Sequence, residues 1–171
     1  MEFLASIENS ALSVWVRESG SLWAYPSMLF LHTVGLGIVV GVSMLVDLRL
    51  LGLARRMPIA PLARFLPIIW LGFWLDLASG LILLMADATT KFTNPMFGVK
   101  MAFVALAVAD ILLIDRKVFR HHRGDHSVPM AGRVLAALSI VCWLGAIVAG
   151  RLTAYVGAVS GAPGLANKVG G

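Results

Sequence analysis

Four apolar runs, each about 20 residues or longer, constrain this chain more than any other feature of its sequence. A helix of about 20 apolar residues crosses the ~30 Å hydrocarbon core of a bilayer, and in that medium each backbone N–H and C=O must be satisfied within the segment. The runs occupy 26–48, 65–86, 98–119 and 131–155. The predicted fold class is therefore all-α, an integral membrane four-helix bundle over 21–156. Composition agrees: 59% of the 171 residues are hydrophobic, 13% are charged and the mean hydropathy is +0.88. That is more apolar surface than a water-soluble domain can bury. Four spans and their loops leave no length for a second soluble module, so one domain is predicted.

Ahead of the first run, Phe3, Leu4, Ile7, Ala11, Val14 and Trp15 recur at helical spacing with Ser6, Asn9, Ser10 and Ser13 between them. This pattern predicts a short N-terminal interfacial amphipathic helix over 1–20. Glu2, Glu8 and Glu18 outnumber Arg17, and no basic start leads into an apolar core, so a cleaved signal peptide is not expected. Trp23 and Tyr25 supply interfacial aromatics, and Pro26 suits the first turn of the first span. Residues 157–171 are rich in Gly and Ala without periodicity and are read as a flexible C-terminal tail.

The net charge of +5 does not describe a nucleic-acid surface. Nine of the fourteen Lys and Arg lie in two short loops: Arg49, Arg55, Arg56 and Arg64 after the first span, and Arg116, Lys117, Arg120, Arg123 and Arg133 after the third. By the positive-inside rule both loops are cytoplasmic and both termini periplasmic in a bacterial inner membrane. Lipid is then the main partner, and no nucleic acid is implied. Small residues at four-residue spacing mark helix-packing faces: Gly37 and Gly41, Gly72 and Gly80 flanking Asp76, Ala102, Ala105 and Ala109, and Gly145/Ala149 with Ala146/Gly150. Such faces also allow a homo-oligomer or docking to a larger respiratory or photosynthetic complex. The single cysteine, Cys142, excludes an intrachain disulfide.

Ionisable groups at membrane depth are costly unless paired or facing a cavity, and each marks a candidate site. Asp76 lies mid-span on the Gly72/Gly80 face, which places its carboxyl at a helix contact. Asp110 lies inward of the middle of the third span, and Asp47 and Arg49 stand at the cytoplasmic end of the first. These acids are either interhelical pins, with Asp47 and Asp115 neutralising nearby arginines, or stations of a proton or ion path.

His32 is the one histidine within a span, near its outer end. Met28 falls on its side of the helix and Gly37 and Gly41 on the opposite side, so the His32 face need not be the packing face. Met101, Lys100 and Arg151 lie at a similar level, as do Met85 and Met96. Imidazole with the thioethers of Met28 and Met101 suits Cu(I), and imidazole with thioether is also an axial pair for haem iron. Lys100 and Arg151 could hold haem propionates or another anion. His121, His122 and His126 lie in a cytoplasmic loop about 30 Å away, so a bis-histidine haem within one chain is not predicted. That loop tract is read as solvated rather than metal-binding. No phosphate loop, dinucleotide fingerprint, nucleophile elbow or H-E-x-x-H helix is present, so no catalytic residue is nominated.

Trp23-Ala24-Tyr25-Pro26, His32-Thr33, Gly35, Asp47-Leu48-Arg49-Leu50-Leu51-Gly52, Leu66-Pro67, Gly72-Phe73, Ser79-Gly80, Asn94-Pro95-Met96-Phe97 and Lys100 resemble an uncharacterised family of small bacterial four-span membrane proteins. That family is distantly similar to the copper-export membrane domain. The likeness covers about 20–155. It implies a four-span bundle and a heavy-metal or haem-linked role at an outer histidine, which carries over only to His32. Three functions follow as expectations: a protein binding haem b or copper near the periplasmic face for electron transfer or metal handling, a non-catalytic accessory subunit, or a proton-coupled or ion transporter using the intramembrane aspartates.

Overall fold

The computed structural model describes residues 2–19, 21, 23–53, 57–120 and 128–156. Among these, seven α-helices follow in chain order: α1 Glu2–Glu8, α2 Ala11–Glu18, α3 Tyr25–Leu51, α4 Leu66–Ala86, α5 Ala88–Thr93, α6 Pro95–Ile114 and α7 Met130–Leu152. A 3-10 turn over Ala60–Phe65 leads into α4, and a wider turn over Asp115–Phe119 extends α6. Four helical stretches are long and apolar enough to cross a membrane: Tyr25–Leu51, Pro61–Ala86, Pro95–Phe119 and Met130–Leu152. Leu29, Phe30, Leu71, Trp74, Leu106 and Val141 are exposed on them, a surface that lipid accommodates and water does not. The chain is a multi-pass, all-α membrane protein. The histidines at 121, 122 and 126, Arg55, Arg56 and the tail at 157–171 lie outside the described residues.

Local chemistry sets the helix ends. Pro26, Pro67 and Pro95 occupy first turns, where their missing N–H would have no intrahelical partner. α3 stops at Gly52, whose φ of 97° is left-handed. The amides of Gly52 and Leu53 turn back to the carbonyls of Arg49 and Leu48, at 3.1 and 3.0 Å. Buried Arg49 donates from Nε to the Met57 carbonyl and so holds the following loop against α3. Asn94 caps α6 by accepting from the Met96 amide at 2.9 Å. Its own amide donates to the carbonyls of Thr153, at 2.9 Å, and Val156, which ties the start of α6 to the end of α7.

The spans pack as two hairpins, α3 with α4 and α6 with α7, joined where α3 meets α7. No comparable packing joins α4 to α6. The first hairpin closes to backbone contact. A Cβ added at Gly35 would lie 2.6 Å from the Asp76 amide nitrogen, and one at Gly72 would lie 2.8 Å from the Val39 nitrogen.

The face of α3 that meets α4 is thus the His32, Gly35 and Val39 face, contrary to the sequence expectation that favoured Gly37 and Gly41. Those two glycines are exposed, with nothing within 4 Å of an added Cβ. The row Ala102, Ala105 and Ala109 is likewise exposed, and α6 instead buries Ala107, Asp110 and Ile111. In a span apolar all round, periodicity does not say which small-residue row finds a partner. On α7 the expected row holds: Ala146 and Ala149 are buried, and Gly145 admits the Phe103 ring.

Two apolar clusters fill the bundle. One, near the basic loops, comprises Val46, Leu50, Ile59, Leu62, Ile114, Val118, Phe119, Leu135 and Ala136. The other crosses the middle through Val39, Ile69, Ala107, Ile111, Cys142 and Trp143.

The N-terminal segment is two short helices rather than one, because Ser10 accepts from the Ser13 amide and starts α2 afresh. They pack on α4 and α5. The Glu8 carboxylate accepts from the Thr89 hydroxyl at 2.6 Å and the Thr89 amide at 3.2 Å, and pairs with Arg17 at 3.5 Å. The two Thr89 bonds, with help from Arg17, hold the Glu8 carboxyl below its ordinary value of 4.5.

Two outcomes follow. Gly35→Ala should destabilise the detergent-solubilised protein by about 3 kcal/mol through overpacking, whereas Gly37→Ala should change it by less than about 0.5 kcal/mol. Equilibrium unfolding measures both. Because the Glu8 value is lowered on folding, its contribution is complete above 4.5 and is lost as pH falls through the lower folded value. The protection factor of the Thr89 amide should therefore drop as pH is lowered well below 4.5, with no such acid step in Glu8→Gln.

Candidate functional site

The absence of close packing between α4 and α6 leaves a lateral cleft in the half of the bundle away from the basic loops. Its volume, mouth included, is about 510 Å³. His32 from α3, Asp76 from α4 and Lys100 from α6 are its polar groups. Phe73, Leu77, Leu81 and Leu84 of α4 and Phe97, Met101 and Val104 of α6 form its apolar walls. Leu81 and Met101 are 50% and 44% exposed at the mouth, so the cleft opens sideways toward lipid rather than along the bundle axis.

Glycine brings His32 to the floor of this cleft. A Cβ at position 80 would fall 2.9 Å from the imidazole Cε1, so any other residue there would make the ring shift from its place against α4. The His32 Nδ1 then stands 2.9 Å from the Asp76 backbone carbonyl and 3.0 Å from its Oδ1. The ring is aligned on the carbonyl, and Oδ1 sits beside it without an aligned donor. Both neighbours of Nδ1 are acceptors, which makes Nδ1 the protonated nitrogen and leaves Nε2 with its lone pair in the neutral ring. Ser79 donates to the carbonyls of Leu75 and Asp76, at 2.6 and 3.2 Å, and buttresses this turn of α4.

Lys100 enters from α6, its stem passing within 3.6 Å of where a Gly150 Cβ would be. Its ammonium and the Asp76 carboxylate lie within electrostatic range of each other. The cleft thus combines a ring nitrogen aligned on a backbone carbonyl beside a carboxyl group, a cation and apolar walls.

Of the residues nominated from sequence, His32, Lys100, Met101 and Asp76 come together here. Met28 stands one turn outward of His32, beyond the cleft lining. Arg151 is exposed at the end of α7 and does not line the cleft either. Asp47 and Asp110 are brought near each other in the opposite half. The apolar layer of Val39, Ile69, Ala107 and Trp143 lies between them and Asp76, so the three acids do not form one continuous row. Asp115 does neutralise an arginine, at 2.9 Å from Arg120.

Sequence reasoning missed the apolar walls, since leucine and phenylalanine carry no positional signal in an apolar span. The spacing of Phe97 and Lys100 after Asn94-Pro95 was the available clue. Among the described residues no group of three or more His, Cys, Asp or Glu gathers as a metal site. No protein-family model, curated protein or solved structure matches the chain.

Proposed function

We propose that this is a haem b-binding electron-transfer protein of the bacterial inner membrane, with its cleft in the periplasmic half and His32 as the residue that would ligate the iron. The observation that carries the reading is the orientation of His32. Its Nδ1 is occupied by Asp76, and metal-ligating imidazoles have their second nitrogen held in this way by a carboxylate or carbonyl.

The rest of the cleft supports the same ligand class. Its walls are apolar and its mouth faces lipid, which suits a flat, largely apolar molecule. Lys100 supplies a cation for an acidic edge such as a propionate. When bound, haem b supplies a one-electron couple, and burial and axial ligation set its potential. The protein's part is to orient Nε2, exclude water with Phe73, Phe97 and Leu77, and balance the ligand's charge with Lys100. Cu(I) is served less well, because Met101 is the one thioether lining the cleft beside His32 and the Lys100 ammonium repels a bare cation. The clustering of basic residues in the opposite loops supports the periplasmic placement.

A reduced-minus-oxidised visible spectrum and an iron determination on the protein purified in mild detergent test this. A b-type difference band with stoichiometric iron is expected, lost in His32→Ala. In Asp76→Asn, which keeps the backbone carbonyl on which Nδ1 is aligned, haem affinity should fall by less than the about 10–100-fold usual for losing the partner that orients a ligating histidine. Colourless protein that stays iron-free after titration with haemin would overturn the proposal.

A further inference from the structure

A second polar group lies in the half of the bundle that carries the basic loops. Ser43 and Asp47 stand one turn apart on α3, Asp110 faces inward from α6 and Ser139 from α7. They are 3%, 1%, 1% and 1% exposed, respectively. Ser43, Asp47 and Ser139 line a void of about 10 Å³ open to the centre of a water molecule, walled by Leu66, Ile69, Ile111 and Phe119. That is room for about one water-sized body. The Ser139 hydroxyl lies against the Asp47 carboxyl, with Asp110 within electrostatic range.

Among the described residues, the hydroxyls of Ser43 and Ser139, Oδ2 of Asp47 and both carboxyl oxygens of Asp110 have no aligned hydrogen-bond partner. Buried acceptors left in this state cost several kcal/mol in total, so each calls for an explanation. Of the neighbouring titratable or charged groups, Arg49 follows on α3 and is engaged with the Met57 carbonyl among its contacts. Cys142 of α7 lies near Asp110. α4 presents only Leu66 and Ile69 to the void.

Carboxylates and hydroxyls are hard oxygen donors suited to hard cations. A Mg²⁺ ion keeps several waters, for which a one-water void has no room, whereas a dehydrated monovalent ion fits. We infer that Ser43, Asp47 and Ser139 form an internal Na⁺ site, to which Asp110 adds negative charge from electrostatic range and at which protons compete with the ion. The apolar layer containing Val39 and Trp143 separates it from the His32 cleft, so it does not rest on the haem assignment.

Equilibrium binding of ²²Na⁺ to the full chain in detergent tests the site. At about pH 8, where carboxylates are ionised, saturable binding of about one ion per chain is expected, displaced by Li⁺ and not by choline. Binding should weaken progressively as pH is lowered and protons take up the carboxylate. Both Asn variants preserve side-chain shape: Asp47→Asn should abolish binding, Asp110→Asn should weaken it, and Ser139→Ala should weaken it about tenfold, or 1.4 kcal/mol. His32→Ala should leave it unchanged, which separates failure here from failure of the haem reading. Wild-type protein with intact helical circular dichroism and no saturable ²²Na⁺ binding would overturn the inference. So would tighter displacement by Ca²⁺ than by Na⁺, or undiminished binding in the Asn variants. Should those variants fail to fold, unchanged affinity in Ser139→Ala would overturn it equally.

Discussion

The contact between α3 and α4 governs the rest of the molecule. A lipid-exposed carboxyl at mid-membrane costs a few kcal/mol or more. α4 keeps Asp76 because α3 comes close enough to put an imidazole beside it. That approach depends on glycines at 35, 72 and 80, where a methyl group would meet backbone or ring atoms at under 3 Å. In lipid, where no hydrophobic force draws helices together, such backbone-to-backbone packing is the main source of association. The same closeness fixes the His32 tautomer and leaves its other nitrogen available to the cleft.

Pairing into two hairpins has a second consequence. α3 and α7 form the seam, so α4 and α6 are left apart on one side and the cleft opens there. Polar chemistry is consequently divided between two levels. His32, Asp76 and Lys100 occupy the lipid-open level, while Ser43, Asp47, Asp110 and Ser139 occupy an enclosed one. The apolar layer between them, with Trp143 and Val39 buried at its centre, argues against a continuous polar path from one to the other.

The sequence was most informative where polarity and small size coincided. Gly72, Asp76 and Gly80 at four-residue spacing announced the α4 packing face. It was least informative on helices apolar all round. Gly37 and Gly41 looked like the contact pair of α3, and only the register of α3 on α4 shows that Gly35 makes the contact instead. Arg151 was placed at the right depth but on an exposed face, because depth is readable from position along a span and azimuth is not. Ser139, a lone hydroxyl in an apolar run, gained meaning only when Asp47 on another helix was found beside it.

The central claim is that Asp76 holds His32 through Nδ1 and leaves Nε2 free. Nitrogen-15 NMR of histidine-labelled protein in lipid, before cofactor is added, reads this directly. The account predicts that in the neutral ring of His32 the proton is on Nδ1 and Nε2 is bare, with that preference lost in Gly80→Ala, where the ring is displaced. A His32 resonance showing the proton on Nε2 in the unsubstituted protein would contradict it.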